Sequence, residues 1–276
     1  MNALVASDGT RLAVRDYGGP ADARGVVLVH GLASNLAIWD RTGPALAKRF
    51  RVLAYDQRSH GRSQDATEYS YELLAADCAR VADLVRDPVL VGHSWGASVV
   101  LHCAAAQSSV RGVVCVDGGV FDWQSMGRSW EETEALLTPP HIEGPAAAVL
   151  QRLRDQSALP WEAAEPVVRR SFVIGEDGVM RRRTPVPEHM KIVRTMWEDR
   201  LLDVHARIRC PVLLVLARGT GEETARRFTA AKDDAAARVL RANPQVRLEW
   251  IDSVHDVPLA KPDELTRLIA RFAAAT

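Results

Sequence analysis

The chain has no run long and apolar enough to cross a membrane: no window of about 18 residues is free of polar side chains. It has no excess of charge either. Lys plus Arg number 35 and Asp plus Glu number 35, so electrostatics gives no reason to expect a nucleic acid or an anionic membrane as partner. Its first residues, Met1-Asn2-Ala3-Leu4, lack the basic stretch and apolar segment of a signal peptide, and a cytoplasmic location is the expectation. Cysteine is sparse. Cys78, Cys103, Cys115 and Cys210 form no C-x-x-C pair and sit in apolar contexts, which reads as buried free thiols rather than a disulfide or zinc site. Internal repeats and low-complexity segments are missing as well.

What is present suits a large core. The 276 residues are 47% apolar, enough for one large α/β domain or for a core domain with an insertion. Strands are expected at Leu12–Asp16, Gly25–Val29, Arg51–Tyr55, Pro88–Val91, Val110–Val116, Val212–Leu216 and Val246–Ile251. Helical spacing is found over Tyr71–Asp87, Ala97–Ala106, about Glu222–Arg241, and Pro262–Ala275. Short apolar strands alternating with helices imply a parallel sheet covered on both faces.

The alternation breaks between about Val120 and Arg209. Pro139-Pro140, Pro160, Pro166, Pro185 and Pro187 punctuate this stretch, Arg181-Arg182-Arg183 is a charge run, and Glu176-Asp177-Gly178 has turn chemistry. It reads as a mostly helical insertion. Four of the seven tryptophans fall within it: Trp123, Trp130, Trp161 and Trp197.

One segment carries most of the chemistry. Gly92-His93-Ser94-Trp95-Gly96 lies between an expected strand and an expected helix. A G-x-S-x-G sequence in that context is a nucleophile elbow: the serine is held at a strained turn, and small flanking residues let strand and helix approach. A serine hydroxyl needs a base to take its proton, most often histidine. His255 lies in a loop between the last strand and the last helix, which opens at the edge of the sheet that displays the elbow. His93 reads as structural, and His141, His189 and His205 as surface residues of the insertion. The oxyanion needs two N–H donors. Trp95, after the nucleophile, supplies one, and Leu32 in His30-Gly31-Leu32-Ala33-Ser34 is the candidate for the other, with Gly31 permitting close approach.

Together these residues resemble the α/β-hydrolase superfamily, in particular its members with a cap. The likeness rests on His30-Gly31-Leu32, Asp56-Gln57-Arg58-Ser59-His60-Gly61-Arg62-Ser63, the elbow, and His255-Asp256-Val257-Pro258 followed by Pro262-Asp263-Glu264-Leu265. The resemblance implies an α/β-hydrolase fold, a mostly parallel central sheet flanked by helices with a helical cap inserted late in the sheet. Residues 1–119 and 210–276 would form the core and 120–209 the cap. The usual pattern places an aspartate after the strand that follows the cap, but here Thr220 occupies about that place. Some capped relatives carry the acid one strand earlier, where this chain has Asp117; Glu222 or Glu223 is the alternative.

The implied activity is a serine hydrolase of the esterase or lactonase type, with Ser94, His255 and Asp117 as triad and no metal or cofactor. Its substrate would be a small apolar ester or lactone. His30, Gly31, Trp123, Trp130, Trp161 and Trp197 are candidates to line the substrate site, and Trp95 flanks the nucleophile. The protein would be a monomer or homodimer without nucleic-acid or membrane partners. Two other readings keep the same framework: a C–C bond hydrolase or cofactor-free perhydrolase or haloperoxidase, and a non-catalytic ligand receptor.

Overall fold

A computed structural model describes residues 2–219 and 223–276, with the side chains of all but Asn2 and residues 223–227. The chain begins with β1 (Asn2–Val5), β2 (Arg11–Gly18) and β3 (Gly25–Val29), followed by a short 3-10 turn (Leu36–Trp39) and α1 (Thr42–Leu46). Then come β4 (Arg51–Tyr55), α2 (Tyr71–Ala82), β5 (Val89–His93), α3 (Trp95–Ala106) and β6 (Gly112–Val116). The segment before the next core strand holds α4 (Trp130–Leu137), β7 (Glu143–Pro145), α5 (Ala146–Asp155), α6 (Trp161–Ser171), β8 (Phe172–Ile174), β9 (Val179–Arg182), α7 (Val186–Glu198) and α8 (Leu201–Arg207). The chain closes with β10 (Val212–Arg218), α9 (Glu223–Ala242), β11 (Val246–Asp252), α10 (Val257–Ala260) and α11 (Pro262–Ala275).

Eight strands form one sheet in the order β1-β2-β4-β3-β5-β6-β10-β11. Its first three neighbouring strands, β1, β2 and β4, pair antiparallel, and every later pair is parallel. Strands β3, β5 and β6 are buried at every residue, as apolar runs covered on both faces must be. Alternate residues feed two clusters. Val27, Val29, Leu90, Val113 and Leu214 join α2, α3, α8 and α9 on one face, while Val26, Leu28, Val91, Val114 and Val215 meet α1 and α11 on the other. The mostly parallel sheet flanked by helices agrees with the fold read from the sequence.

Two features differ from that reading. The edge strand β1 has too short a pattern to stand out in sequence. The inserted segment also carries a small antiparallel sheet, in the order β7-β9-β8, among its helices. The turn expected at Glu176-Asp177-Gly178 joins β8 to β9: Gly178 N–H donates to Gly175 O, and Gly178 adopts φ +73°. Cys78, Cys103 and Cys115 are buried free thiols, whereas Cys210 is only half-buried. Among the described residues no helix is long and apolar enough to cross a membrane.

Strand order fixes where a site can form. β4 leaves β3 to one side and β5 returns on the other, so the carboxyl ends of β3 and β5 flank a switch point where a crevice opens. The loop after β3 and the turn after β5 both emerge there.

Candidate active site

Ser94 is built on that turn. It has φ 54° and ψ −121°, a region that costs a non-glycine residue about 1–3 kcal/mol. Surrounding backbone enforces it. A Cβ on Gly92 would lie 2.2 Å from Gly96 O, and one on Gly96 would lie 2.4 Å from His30 O. The Ser94 N–H also donates to Val116 O at 2.9 Å. Strand β5 is thereby locked against both neighbours, and the Ser94 side chain stands half-buried above the sheet edge.

Register brings the acid alongside. His93 pairs with Val116, so the next residues, Ser94 and Asp117, leave adjacent strands together. His255 follows β11 three residues after Asp252. Its Nε2 is 3.0 Å from Ser94 Oγ and its Nδ1 is 2.7 Å from Asp117 Oδ2. Nδ1–H donating to the carboxylate leaves Nε2 free to accept from the serine hydroxyl, the tautomer a base requires. The Asp117 side chain is fully buried while that of His255 is 55% exposed. Burial alone would raise the Asp117 pKa. The His255 hydrogen bond and the nearby His255 and Lys232 charges outweigh it and hold the carboxyl below its ordinary value. For His255, loss of surrounding water would lower the pKa, but the bond to Asp117 and its charge prevail, and the ring titrates above 6.5.

The loop after β3 is held by neutral histidines. His30 is fully buried; its Nδ1–H donates to Gly31 O at 2.7 Å and its Nε2 accepts from Gln57 N–H at 2.9 Å. Burial pushes its pKa down to about 3. His60 does the same for Ala33, whose N–H donates to His60 Nε2 at 3.3 Å, and it too is pushed to about 3 by burial. Asp56 accepts from the N–H groups of Leu36 and Arg62, both at 2.8 Å. Asp56–Ser63 is therefore a shaped loop, not reacting groups. A Cβ on Gly31 would lie 2.9 Å from Ser94 Cβ, the close approach anticipated from sequence. Among the described residues, neither the Leu32 nor the Trp95 N–H meets an acceptor. Trp95 opens α3, where such N–H groups are unpaired by geometry.

Several candidates lie elsewhere. Buried His30 cannot meet substrate. The Trp95 side chain is 1% exposed, packed 5.6 Å from the His60 ring rather than facing a pocket. Trp130 and Trp197 enclose Arg194, whose guanidinium carbon lies 4.8 and 4.6 Å from their ring centres. Trp123 packs on Phe121 at 5.5 Å. None of these, nor Trp161, lines the cavity beside His255. That cavity, about 300 Å³, is bounded by Leu159, Ala164, Val167, Val168 and Leu259. Glu222, the alternative acid, lies outside the described residues, as does the Glu223 side chain. Of the three histidines expected at the surface only His141 is there. His189 Nε2–H donates to Leu137 O at 3.1 Å and His205 Nε2–H to Gly119 O at 2.8 Å, both buried.

His93 has the structural part read from the sequence: 2% exposed, it donates from Nε2 to His255 O at 3.0 Å and so anchors the loop bearing His255, and burial pushes its pKa down to about 4, keeping it neutral. One residue escaped sequence reasoning. Lys232 reaches Asp117 from α9. Among the described residues no group of three or more His, Cys, Asp or Glu side chains could hold a metal ion.

The sequence model of the alpha/beta hydrolase family matches residues 26–268. "Probable oxidoreductase EphD" of Mycobacterium tuberculosis is 40% identical over 103 residues, which is 35% of this chain and only 17% of EphD. The chain thus spans under a fifth of that relative. RutD of Escherichia coli O157:H7 is 29% identical over 216 residues, 71% of this chain and 74% of RutD. Among solved structures, E-2-(acetamidomethylene)succinate hydrolase superposes with a TM-score of 0.76 at 23% identity, covering 98% of this chain and 97% of its own. At that identity the likeness concerns the fold.

Proposed function

The chain belongs to the alpha/beta hydrolase family, and on that premise we propose that it is a serine hydrolase that cleaves a carboxylic ester or lactone through an acyl-enzyme on Ser94. The observation that carries this reading is the unbroken line Ser94 Oγ–His255 Nε2–Asp117 Oδ2, with separations of 3.0 and 2.7 Å. Ser94 Oγ attacks the carbonyl carbon as its proton passes to His255 Nε2. The Asp117 carboxylate stabilises the imidazolium without taking its proton. The N–H groups of Leu32 and Trp95 receive the oxyanion. His255 then protonates the departing alkoxide oxygen. A water molecule, deprotonated by the same nitrogen, attacks the acyl carbon and releases the acid with Ser94 restored.

The inserted segment serves in this reading as the cap over the site, residues 120–209. Support comes from α6, which contributes Ala164, Val167 and Val168 to the cavity that His255 borders. The aliphatic side chains on that wall suit a small apolar acyl or alkyl group, with Ser157, His255 and Asp256 as the polar part of the lining.

Ser94→Ala tests the assignment. Activity on short-chain p-nitrophenyl esters and simple lactones is expected to fall about 10⁴–10⁶-fold, with the thermal melt preserved. Wild type should be labelled by a fluorophosphonate at Ser94, as read by mass spectrometry. Retained turnover in Ser94→Ala would remove the nucleophile from the scheme. A labelled Ser94 with no ester or lactone turnover would instead refute the substrate class and favour C–C cleavage or a peroxide reaction at the same serine.

A further inference from the structure

Lys232 has no part in the scheme above, yet it touches the site. It lies on the face of α9 that also sends Ala235, Ala236 and Val239 into the core, and it is 9% exposed. Its Nζ stands 2.7 Å from Asp117 Oδ1 and 2.9 Å from Oδ2, and it donates to Ala217 O at 2.9 Å. The Ala217 N–H donates to Asp117 Oδ1 at 2.8 Å. One carboxylate is thus gripped by an ammonium, a backbone N–H and the His255 ring. Burying an ammonium is costly unless it is paired, and here its charged partner is the group that faces the base.

We propose that Lys232 is a positioning residue of the triad, whose ammonium fixes the Asp117 carboxylate toward His255 and shares its negative charge. The inference rests on reading Ser94, His255 and Asp117 as the triad. Among the described residues four groups bear on the His255 ring: Asp117 from the end of β6, Asp256 from its own loop, His93 from β5 with ring centres 4.9 Å apart, and Lys232 from α9. Asp117 and Asp256 favour the imidazolium and Lys232 opposes it, while His93 is neutral above about pH 4. With Lys232 present, the Asp117–Lys232–His255 set is neutral at rest and becomes positive when the serine proton arrives. Without Lys232, the set is negative at rest, and a proton on His255 would merely neutralise it. The lysine therefore releases His255 as a free base at lower pH, and it stops the buried carboxylate from claiming the proton too tightly. The α9 helix that follows β10 thus supplies a cation to an acid at the end of the neighbouring strand β6.

The test is the titration of the His255 ring by carbon-13 NMR in wild type, Lys232→Met, Lys232→Gln and Lys232→Arg, with the resonance assigned by its loss in His255→Asn. Removing the charge in Lys232→Met or Lys232→Gln should move the titration upward by about one pH unit. The acid limb of fluorophosphonate labelling at Ser94 should follow. Lys232→Arg, which keeps the charge, should stay within a few tenths of wild type. Lys232→Gln keeps a donor for Ala217 O and serves if the methionine variant does not fold. The proposal is overturned if the uncharged variants titrate as wild type, however much stability they lose, or if the arginine variant shifts as far as they do. Absence of labelling in wild type would strike the Ser94 reading alone, because the ring titration needs no turnover.

Discussion

Strands β3, β5 and β6 are buried at every residue and feed two apolar clusters that run the length of the sheet, whereas the segment between β6 and β10 has a cluster of its own built on only Ile142, Val149 and Met180. The difference shows in how each region is held. The core is packed from within. The segment joins the core partly through apolar side chains, Ile192 of α7 and Leu201 and Val204 of α8, and partly through polar contacts to core loops: Arg170 to Asp56, Arg183 to Gly61 O and Ser63 O, Thr184 to Ser59 O, and His205 to Gly119 O. A neutral hydrogen bond of this kind contributes about 1 kcal/mol, and breaking the pair of Arg170 with the fully buried Asp56 costs more. In the proposed scheme core strands and the loops between them carry the reacting groups, and the segment shapes what reaches them.

Glycines give the sharpest way to break that contrast. A Cβ on Gly118 would lie 2.2 Å from Ser94 O, a backbone atom with nowhere to go. Gly118→Ala should cost about 3 kcal/mol or more and distort the elbow, so melting temperature and activity fall together. Gly178→Ala, in the β8–β9 turn, meets nothing within 4 Å and carries only the penalty of its φ of +73°. It should cost about 1 kcal/mol in a thermal melt and leave turnover alone. Equal losses in the two variants would mean that the segment is as tightly specified as the core.

The same contrast explains what could be read from the sequence. Apolar runs such as Gly25–Val29 and Val212–Leu216 are legible because a strand buried on both faces has no polar alternative, and the elbow is legible because glycine is demanded where backbones touch. The strands β7, β8 and β9 have three or four residues, with Pro145, Arg181 and Arg182 among them, too few and too mixed for any period to emerge. Tryptophans in the segment could line a pocket or pack the segment's own small core, and for any single one core packing is the commoner role. Arg194, three residues before Trp197 on α7, was the signal that two of them pack around a cation. Lys232 had a signal as well: it falls on the spacing of Ala235, Ala236 and Val239, where an isolated charge on a buried helix face requires a partner. Spacing could not say that the partner would be Asp117, because that contact joins residues 115 positions apart.

Val168→Phe sharpens the comparison at the pocket, with a smaller effect. The added ring fills part of the 300 Å³ cavity beside His255. Relative kcat/KM for longer acyl chains over acetyl should drop about tenfold to a hundredfold, as steady-state assays across a chain-length series would show. The pH profile should not follow. Asp117 holds the His255 ring above its ordinary 6.5, so kcat/KM is lost as pH falls through a value above 6.5, where the base becomes protonated. Val168→Phe should keep that limb, since the groups that bear on the ring belong to the core. A displaced limb would show that the segment tunes the chemistry as well as the fit.

The smallest expected effect lies where the segment is most self-contained. Arg194 sits between Trp130 and Trp197 and also pairs with Glu198 at 2.6 Å, while Trp197 Nε1–H donates to Arg128 O at 2.9 Å. This cluster joins α4 to α7 on a half-exposed surface, where water weakens both the ion pair and the attraction of the guanidinium to the rings. Arg194→Met keeps most of the apolar contact and removes only the charge. It should cost at most about 1 kcal/mol by chemical denaturation, with kcat/KM for acetyl and longer esters both unchanged. Neither tryptophan borders the cavity at His255, so loosening their clasp leaves the walls of that cavity in place. A change in chain-length preference in Arg194→Met would mean that α4 and α7 transmit to α6, and the segment would then have to be treated as one cooperative unit rather than as helices pinned separately to the core.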